Sequence, residues 1–231
     1  LISTSTERTL IVLGNFTVNS GTFVMANDIK KGNLQVAGDF SHTGGTITEL
    51  SGTSGIAGSI VFNKTGIQYY TDGGVITNLV NFTVSSGSTL QMVNSSTVVQ
   101  GGGSFLLSSG ATLGVTSVDG ITTSGTSTNS GTTGNIQVTS ARTFSAGSNL
   151  IYNGNANQVA GNGLTTLNKA NLTIDNPGNT VTLSANTTIS AGLTVTAGST
   201  LDVSSFTFNG PTSIALGCGS TAATAIPGTG L

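Results

Sequence analysis

Charge is what this chain has least of. Lys, Arg, Asp and Glu together make up 6% of its 231 residues, where an ordinary soluble domain carries about a quarter. The formal net charge is −2, so no basic patch invites a phosphate backbone and nucleic-acid binding is excluded as a role. One cysteine, Cys218, rules out an internal disulfide framework. Set between Gly217 and Gly219, it reads as a small buried side chain. No apolar run approaches the roughly 18 residues a membrane-spanning helix needs. The chain opens at Leu1 without Met and without a basic-then-apolar leader, which reads as a processed product or an excerpt.

What is present instead is Gly, at 34 residues, with Ser, Thr and Asn filling most of the polar positions. Hydrophobic residues reach 36%, and mean hydropathy is +0.22 because so little opposes them. Such a composition suits stacked short strands with hydroxyl and amide outer faces. In a stack, each exposed position lies about 4.8 Å from its equivalent one layer away. Like charges repel at that spacing, whereas Thr, Ser and Asn form hydrogen-bonded ladders.

One phrase recurs. GLTVTAGSTLDV at 192–203 returns as NFTVNSGTF at 15–23, NFTVSSGSTL at 81–90 and SFLLSSGATL at 104–113. Each is two period-two strands around a Gly-centred corner, the signature of part of a solenoid coil. Leu10, Val12, Gly14, Phe16, Gly21 and Thr22 recur 24 residues later as Leu34, Val36, Gly38, Phe40, Gly45 and Thr46. Taken onward through Phe82, Phe105, Leu172 and Leu193, with missing members near Val61 and Leu150, the Phe position implies a period of roughly 22. The sequence therefore predicts an all-β fold, a right-handed parallel β-helix of about ten coils of roughly 22 residues over 1–208. Phe16, Phe40, Phe82, Phe105, Leu172 and Leu193 are expected inside, as one ladder. Immunoglobulin-like units would need about 100 residues each, far longer than this repeat.

A longer echo overlies the period. Residues 61–84 are matched by 151–174 at an offset of 90, pairing Asn63 with Asn153, Gln68 with Gln158 and Gly73 with Gly163. This reads as an internal duplication. The stretch 119–135 lacks apolar alternation and reads as a bulging loop or a loose coil with a polar interior. Residues 209–231 read as a linker or the start of a further unit. No capping helix is legible at either end, so further coils or end-to-end docking of copies would protect the strand edges.

Candidate chemistry is sparse, and no catalytic, cofactor or metal residue is assigned. His42, the single histidine, has no G-x-S-x-G nucleophile elbow to serve and reads as an exposed corner residue. Asp28, Asp39, Asp72, Asp119, Asp175 and Asp202 are scattered, without the spacing of calcium loops. The six basic residues, Arg8, Lys30, Lys31, Lys64, Arg142 and Lys169, are equally dispersed. Lys30 and Lys31 beside Asp28 read as a charged corner. A polysaccharide-cleaving enzyme, lyase or hydrolase, remains the alternative reading of a β-helix, but it needs clustered carboxylates. Tyr69 and Tyr70 are adjacent, so on a strand one must point outward, an isolated surface Tyr before it is a sugar platform. Glycines at 101–103 and 161–163 read as corners rather than phosphate loops. Asn15, Asn63, Asn81, Asn94, Asn171 and Asn186 begin N-x-[ST] triplets, which in so Thr-rich a chain arise by chance. An ice-binding Thr array ranks third, for want of a T-x-T on every coil.

SSGATLGVTSVDGITTSG (108–125), GNIQVTSARTFSAGSNLIYNGNANQVAGNGL (134–164) and NLTIDN (171–176) resemble the repeat-rich, adhesin-like surface proteins of Bacteroidota. Those are typically exported by the type IX secretion system. The likeness covers most of 60–203 and is structural rather than catalytic; the family's C-terminal sorting domain is not recognisable. It implies an extracellular or cell-surface location and a fibre-forming or attachment role. The expected function is thus a non-enzymatic adhesive shaft or spacer without cofactors. Its partners would be other copies, further coils of a longer chain, or surface glycans.

Overall fold

The computed structural model describes residues 6–26, 30–50, 56–123, 132–164 and 169–223. Every regular element among them is a β-strand, and the strands stack in parallel as a β-solenoid. No helix among them is long and apolar enough to cross a membrane. Each turn contributes a strand to up to three faces. Face 1 is a six-stranded sheet running from Arg8–Val12 to Arg142–Phe144. Face 2 is a ten-stranded sheet that starts at Phe16–Val18 and includes Ser213–Leu216. Face 3 is broken into shorter sheets, such as Thr22–Val24 with Thr46–Thr48 and Val75–Thr77.

The recurring phrase is a corner. In SSGST, the Ser88 amide bonds back to the Ser85 carbonyl at 3.0 Å, and in SSGAT Ala111 does the same to Ser108. Between them, Gly87 and Gly110 take φ of 79° and 74°, a left-handed conformation that L side chains rarely adopt. The glycines of successive corners also bond one another, Gly87 to Gly110 and Gly110 to Gly147. A tight turn thus sets the bend and the stacking at once.

The 24-residue offset at the amino end is a register. Leu10 pairs with Leu34, Val12 with Val36, Phe16 with Phe40 and Thr22 with Thr46. The single Phe ladder expected beyond it is not formed, although its members do face inward. Phe82 and Phe105 stack on face 1, in a column that begins Leu10, Leu34, Ile60. Phe16 and Phe40 stack on face 2 with Tyr70 and Met92. Leu172 and Leu193 occupy a third column, Leu90–Leu113–Leu150–Leu172–Leu193–Ile214. The reason is that one corner phrase serves two bends. NFTVSSGSTL turns from face 1 to face 2, and NFTVNSGTF from face 2 to face 3. Phe40, Phe82, Phe105 and Leu172 are all fully buried, while Phe16 in the first turn is half-buried.

Turns also vary in length. Phe40 and its neighbour Tyr70 lie 30 residues apart, and Leu113 and Leu150 lie 37 apart. The longer turns reduce the expected ten coils to about eight. The 37-residue turn holds the stretch read as a loop, of which 124–131 lie outside the described residues. Its flanks are anchored: Asn135 accepts the amides of Thr116 and Ser117 and donates to the Thr97 carbonyl at 2.7 Å. Past residue 209, Ser213–Leu216 and Thr221–Ala223 stack in register as another turn, and 224–231 lie outside the described residues.

The echo at offset 90 has a physical basis in its glutamines. Gln68 Nε2 donates to the carbonyls of Val36 and Gly38, and its Oε1 accepts the Lys64 amide. Gln158 Nε2 donates to Val115 and Ser117, and its Oε1 accepts the Gly154 amide. Both buried amides clamp the preceding turn's corner and their own, adding to the ladder bonds that Asn63 and Asn153 already make to the Val36 and Val115 carbonyls. The two clamps sit on different faces, Gln68 on face 2 and Gln158 on face 3. What recurs is a local strand–corner–strand unit, turned one face around the axis.

Candidate functional site

The outer surface is built by amide ladders. Asn15 Oδ1 accepts the Asp39 amide at 2.8 Å, Asn81 the Ser104 amide at 2.8 Å, Asn171 the Gly192 amide at 3.0 Å and Asn186 the Thr207 amide at 2.9 Å. Four of the six N-x-[ST] asparagines are therefore rungs between turns. The triplet reflects strand alternation: Asn, then an inward residue (Phe, Leu or, after Asn186, the buried Thr187), then an outward Thr.

A stronger tie crosses a whole turn. Gln91 and Asn153 exchange two amide hydrogen bonds, of 3.1 and 2.8 Å. Gly114, the register partner of Gln91 on the intervening turn, makes room, since a Cβ there would overlap the Gln91 amide. Replacing Gln91 with Ala is expected to lower unfolding free energy by about 1 kcal/mol. Asn153→Ala on top should add almost nothing, as denaturant melts of the two single variants and the double would show. Fully additive losses would mean that the clasp carries no coupling.

Next to this clasp lies the most distinctive patch of the exterior. Tyr69 is 46% exposed while Tyr70 beside it is fully buried, as strand alternation requires. Ile67 on the same strand and Val93 on the neighbouring turn are exposed too. On one side Tyr69 pairs with Gln91. On the other, its amide donates to Asp39 Oδ1 at 3.1 Å, and Lys64 Nζ reaches the same oxygen at 2.9 Å. Desolvation works to raise the Asp39 pKa. The Lys64 hydrogen bond, the Tyr69 amide and the Lys64 charge outweigh it and hold the carboxyl below its ordinary value. This is the sole ion pair among the described residues, and it abuts the sole aromatic ring among them that is largely exposed.

Other polar groups face inward. His42 is not at an exposed corner; it is fully buried on the strand Phe40–His42, in register with Asp72. The expectation failed because His42 takes the inward phase two residues after Phe40. Its Nε2 donates to the Gly45 carbonyl at 3.3 Å, and burial lowers its pKa against that bond. Burial pushes Asp72 up to about 6, although the Gly73 amide and Gln100 Nε2, 3.3 Å away, pull it down. Tyr70 is raised well above its ordinary value by burial and by the Asp72 charge. His42 Nδ1, Tyr70 OH and Asp72 Oδ1 make no hydrogen bond within the described protein. In a later turn, burial lowers Lys169 to about 8; its Nζ donates to the Phe144 carbonyl at 3.0 Å. Arg142 is buried as well, and burial lowers its pKa.

Among the described residues, no three His, Cys, Asp or Glu side chains come together. Asp202 accepts the Ser204 amide as a turn residue does, while Asp175 accepts the Thr196 hydroxyl of the next turn as a further rung between turns. Lys30 and Lys31 are exposed, and Asp28 lies outside the described residues. Cys218 is exposed at a corner rather than buried, since its glycine neighbours set a turn that projects it outward. Compared with known protein families, curated proteins and solved structures, the chain matches none.

Proposed function

We propose that this chain is part of a non-enzymatic, secreted cell-surface or extracellular fibre protein, in which it serves as a rigid adhesive shaft or spacer. The observation that carries this reading is the unbroken face 2 sheet, whose parallel ladder runs along the axis through every turn. Backbone hydrogen bonds aligned with an axis bear load in series along it, and a side-chain-filled interior resists bending. The exterior suits crowding beside other shafts, because its rungs are amides and hydroxyls that neither repel nor attract at long range. At one end, the edge strands carry exposed Leu10 and Ile11, with Leu13 just beyond. A further layer of strand, from a longer polypeptide or from another copy, would bury them.

Two measurements test the proposal. Immunogold labelling of the source cells with antibodies to this chain should decorate the outer surface or its filaments; labelling confined to the cell interior would sink it. Pulled along its axis by atomic force microscopy, the purified chain should unfold in steps, turns of 22 to 24 residues releasing roughly 8 nm of contour and the 30- and 37-residue turns about 10 and 13 nm. A single all-or-none release at low force would mean that the turns do not act as a load-bearing stack.

A further inference from the structure

We infer that the patch centred on Tyr69 is a binding site for neutral glycans. The inference deepens the adhesive half of the proposal above and rests on it. A pyranose ring has one largely C–H face and a rim of hydroxyls, so its site needs an exposed aromatic or aliphatic plane beside planar hydrogen-bonding groups. Tyr69 supplies the aromatic plane, with exposed Ile67 two residues before it on the strand and exposed Val93 two residues past its register partner Gln91. Asp39 and Lys64 supply the rim: their contact fixes both heads, and the Tyr69 backbone amide anchors Asp39 at the entry of the adjoining strand. Asp39 Oδ1 receives both Lys64 Nζ and the Tyr69 amide, leaving its second oxygen to accept a sugar hydroxyl. Lys64 Nζ spends one of three protons on Asp39 and has two to donate.

Two features favour a sugar over a protein or an anion. The charges cancel within the pair, so nothing selects a carboxylated or sulfated ligand. The patch stands on a sheet whose strands are already paired on both sides, so no free backbone edge is offered for strand addition. The platform is also pre-formed. The Gln68 clamp below and the Gln91–Asn153 clasp beside it hold the strand that carries Tyr69, so binding orders little. The remaining tyrosines, Tyr70 and Tyr152, are buried, which restricts the role to this one position.

The test is a printed array of neutral oligosaccharides (hexoses and N-acetylhexosamines) beside uronic-acid and sialylated ones, with hits titrated by saturation-transfer NMR. The chain should bind neutral glycans, and Tyr69→Ala should weaken binding by about tenfold or more, whereas Tyr69→Phe keeps it within about threefold. Lys64→Ala should weaken binding without abolishing it, and Val75→Ala, at an exposed site on face 3 of the same turn, should leave it unchanged. Thermal melts matching the parent show that each variant is folded. Silence on the neutral glycans, equal binding by Tyr69→Ala, or capture of acidic glycans alone overturns the site. Surface labelling and stepwise unfolding would then still stand, so the shaft and its ligand fail separately.

Discussion

Replacing Phe40 with Ala is expected to remove about 3–5 kcal/mol of unfolding free energy, whereas Phe16→Ala should remove less than half as much. Phe40 is fully buried and touches three rings, with centroids 5.4 Å from Phe16, 5.6 Å from Phe62 and 5.3 Å from Tyr70. It thus joins faces 1 and 2 and ties its own turn to the turns on both sides. Phe16 sits in the first turn, half-buried, against Phe23 and Phe40. In a stack where each turn contacts only its neighbours, an interior hole weakens two interfaces and an end hole one. Urea melts of the two variants decide it. Equal losses, or a Phe40→Ala loss below about 1 kcal/mol, would contradict a packed axial core.

The sequence carried the architecture further than the arrangement within it. Period-two strands, Gly corners and the scarcity of charge all follow from stacking, and the offset from Leu10 to Leu34 is a true register. The phase was harder to read. The same corner phrase joins faces 1 and 2 at Phe82 and faces 2 and 3 at Phe16, and nothing local in NFTV marks which. Dividing intervals by roughly 22 hid turns of 30 and 37 residues, because a long turn plus a change of face still comes near a multiple.

The polar interior was hardest to see, since hydrophobic alternation counts a buried His or Asp as a miss. His42 and Asp72 occupy inward positions that sequence patterning assigns to apolar residues. Only Gln68 and Gln158 left a trace, through their shared offset, because their clamps fix the identity of the residue and not merely its polarity. Of the surface patch, the outward Tyr was legible from the Tyr69–Tyr70 pair. Its neighbours were not: Asp39 and Lys64 meet only because the third turn is lengthened.

Asp72 provides the sharpest dependence on pH. Its folded pKa of about 6 stands above the ordinary 3.8, so the folded state holds the proton more tightly than the unfolded one. The stabilisation is complete below the unfolded value and is lost as pH rises through about 6. At pH 8 the protein carries a partly buried carboxylate beside Tyr70 and Gln100. Asp72→Asn, which keeps an oxygen for Gln100, should raise unfolding free energy at pH 8 by about 1–3 kcal/mol. Near pH 4 the difference should vanish. His42 acts with the opposite sign: its folded pKa is lowered, so its contribution is present above 6.5 and lost as pH falls through the folded value. Lys169, lowered to about 8, gains stability only as pH rises above that value toward 10.5. Neither group contributes to the Asp72 shift, so comparing parent and variant at each pH cancels both. Urea melts from pH 4 to 8 measure the difference directly. A variant less stable than the parent at pH 8 would show that the ionised carboxylate is needed there and would overturn the sign of this dependence.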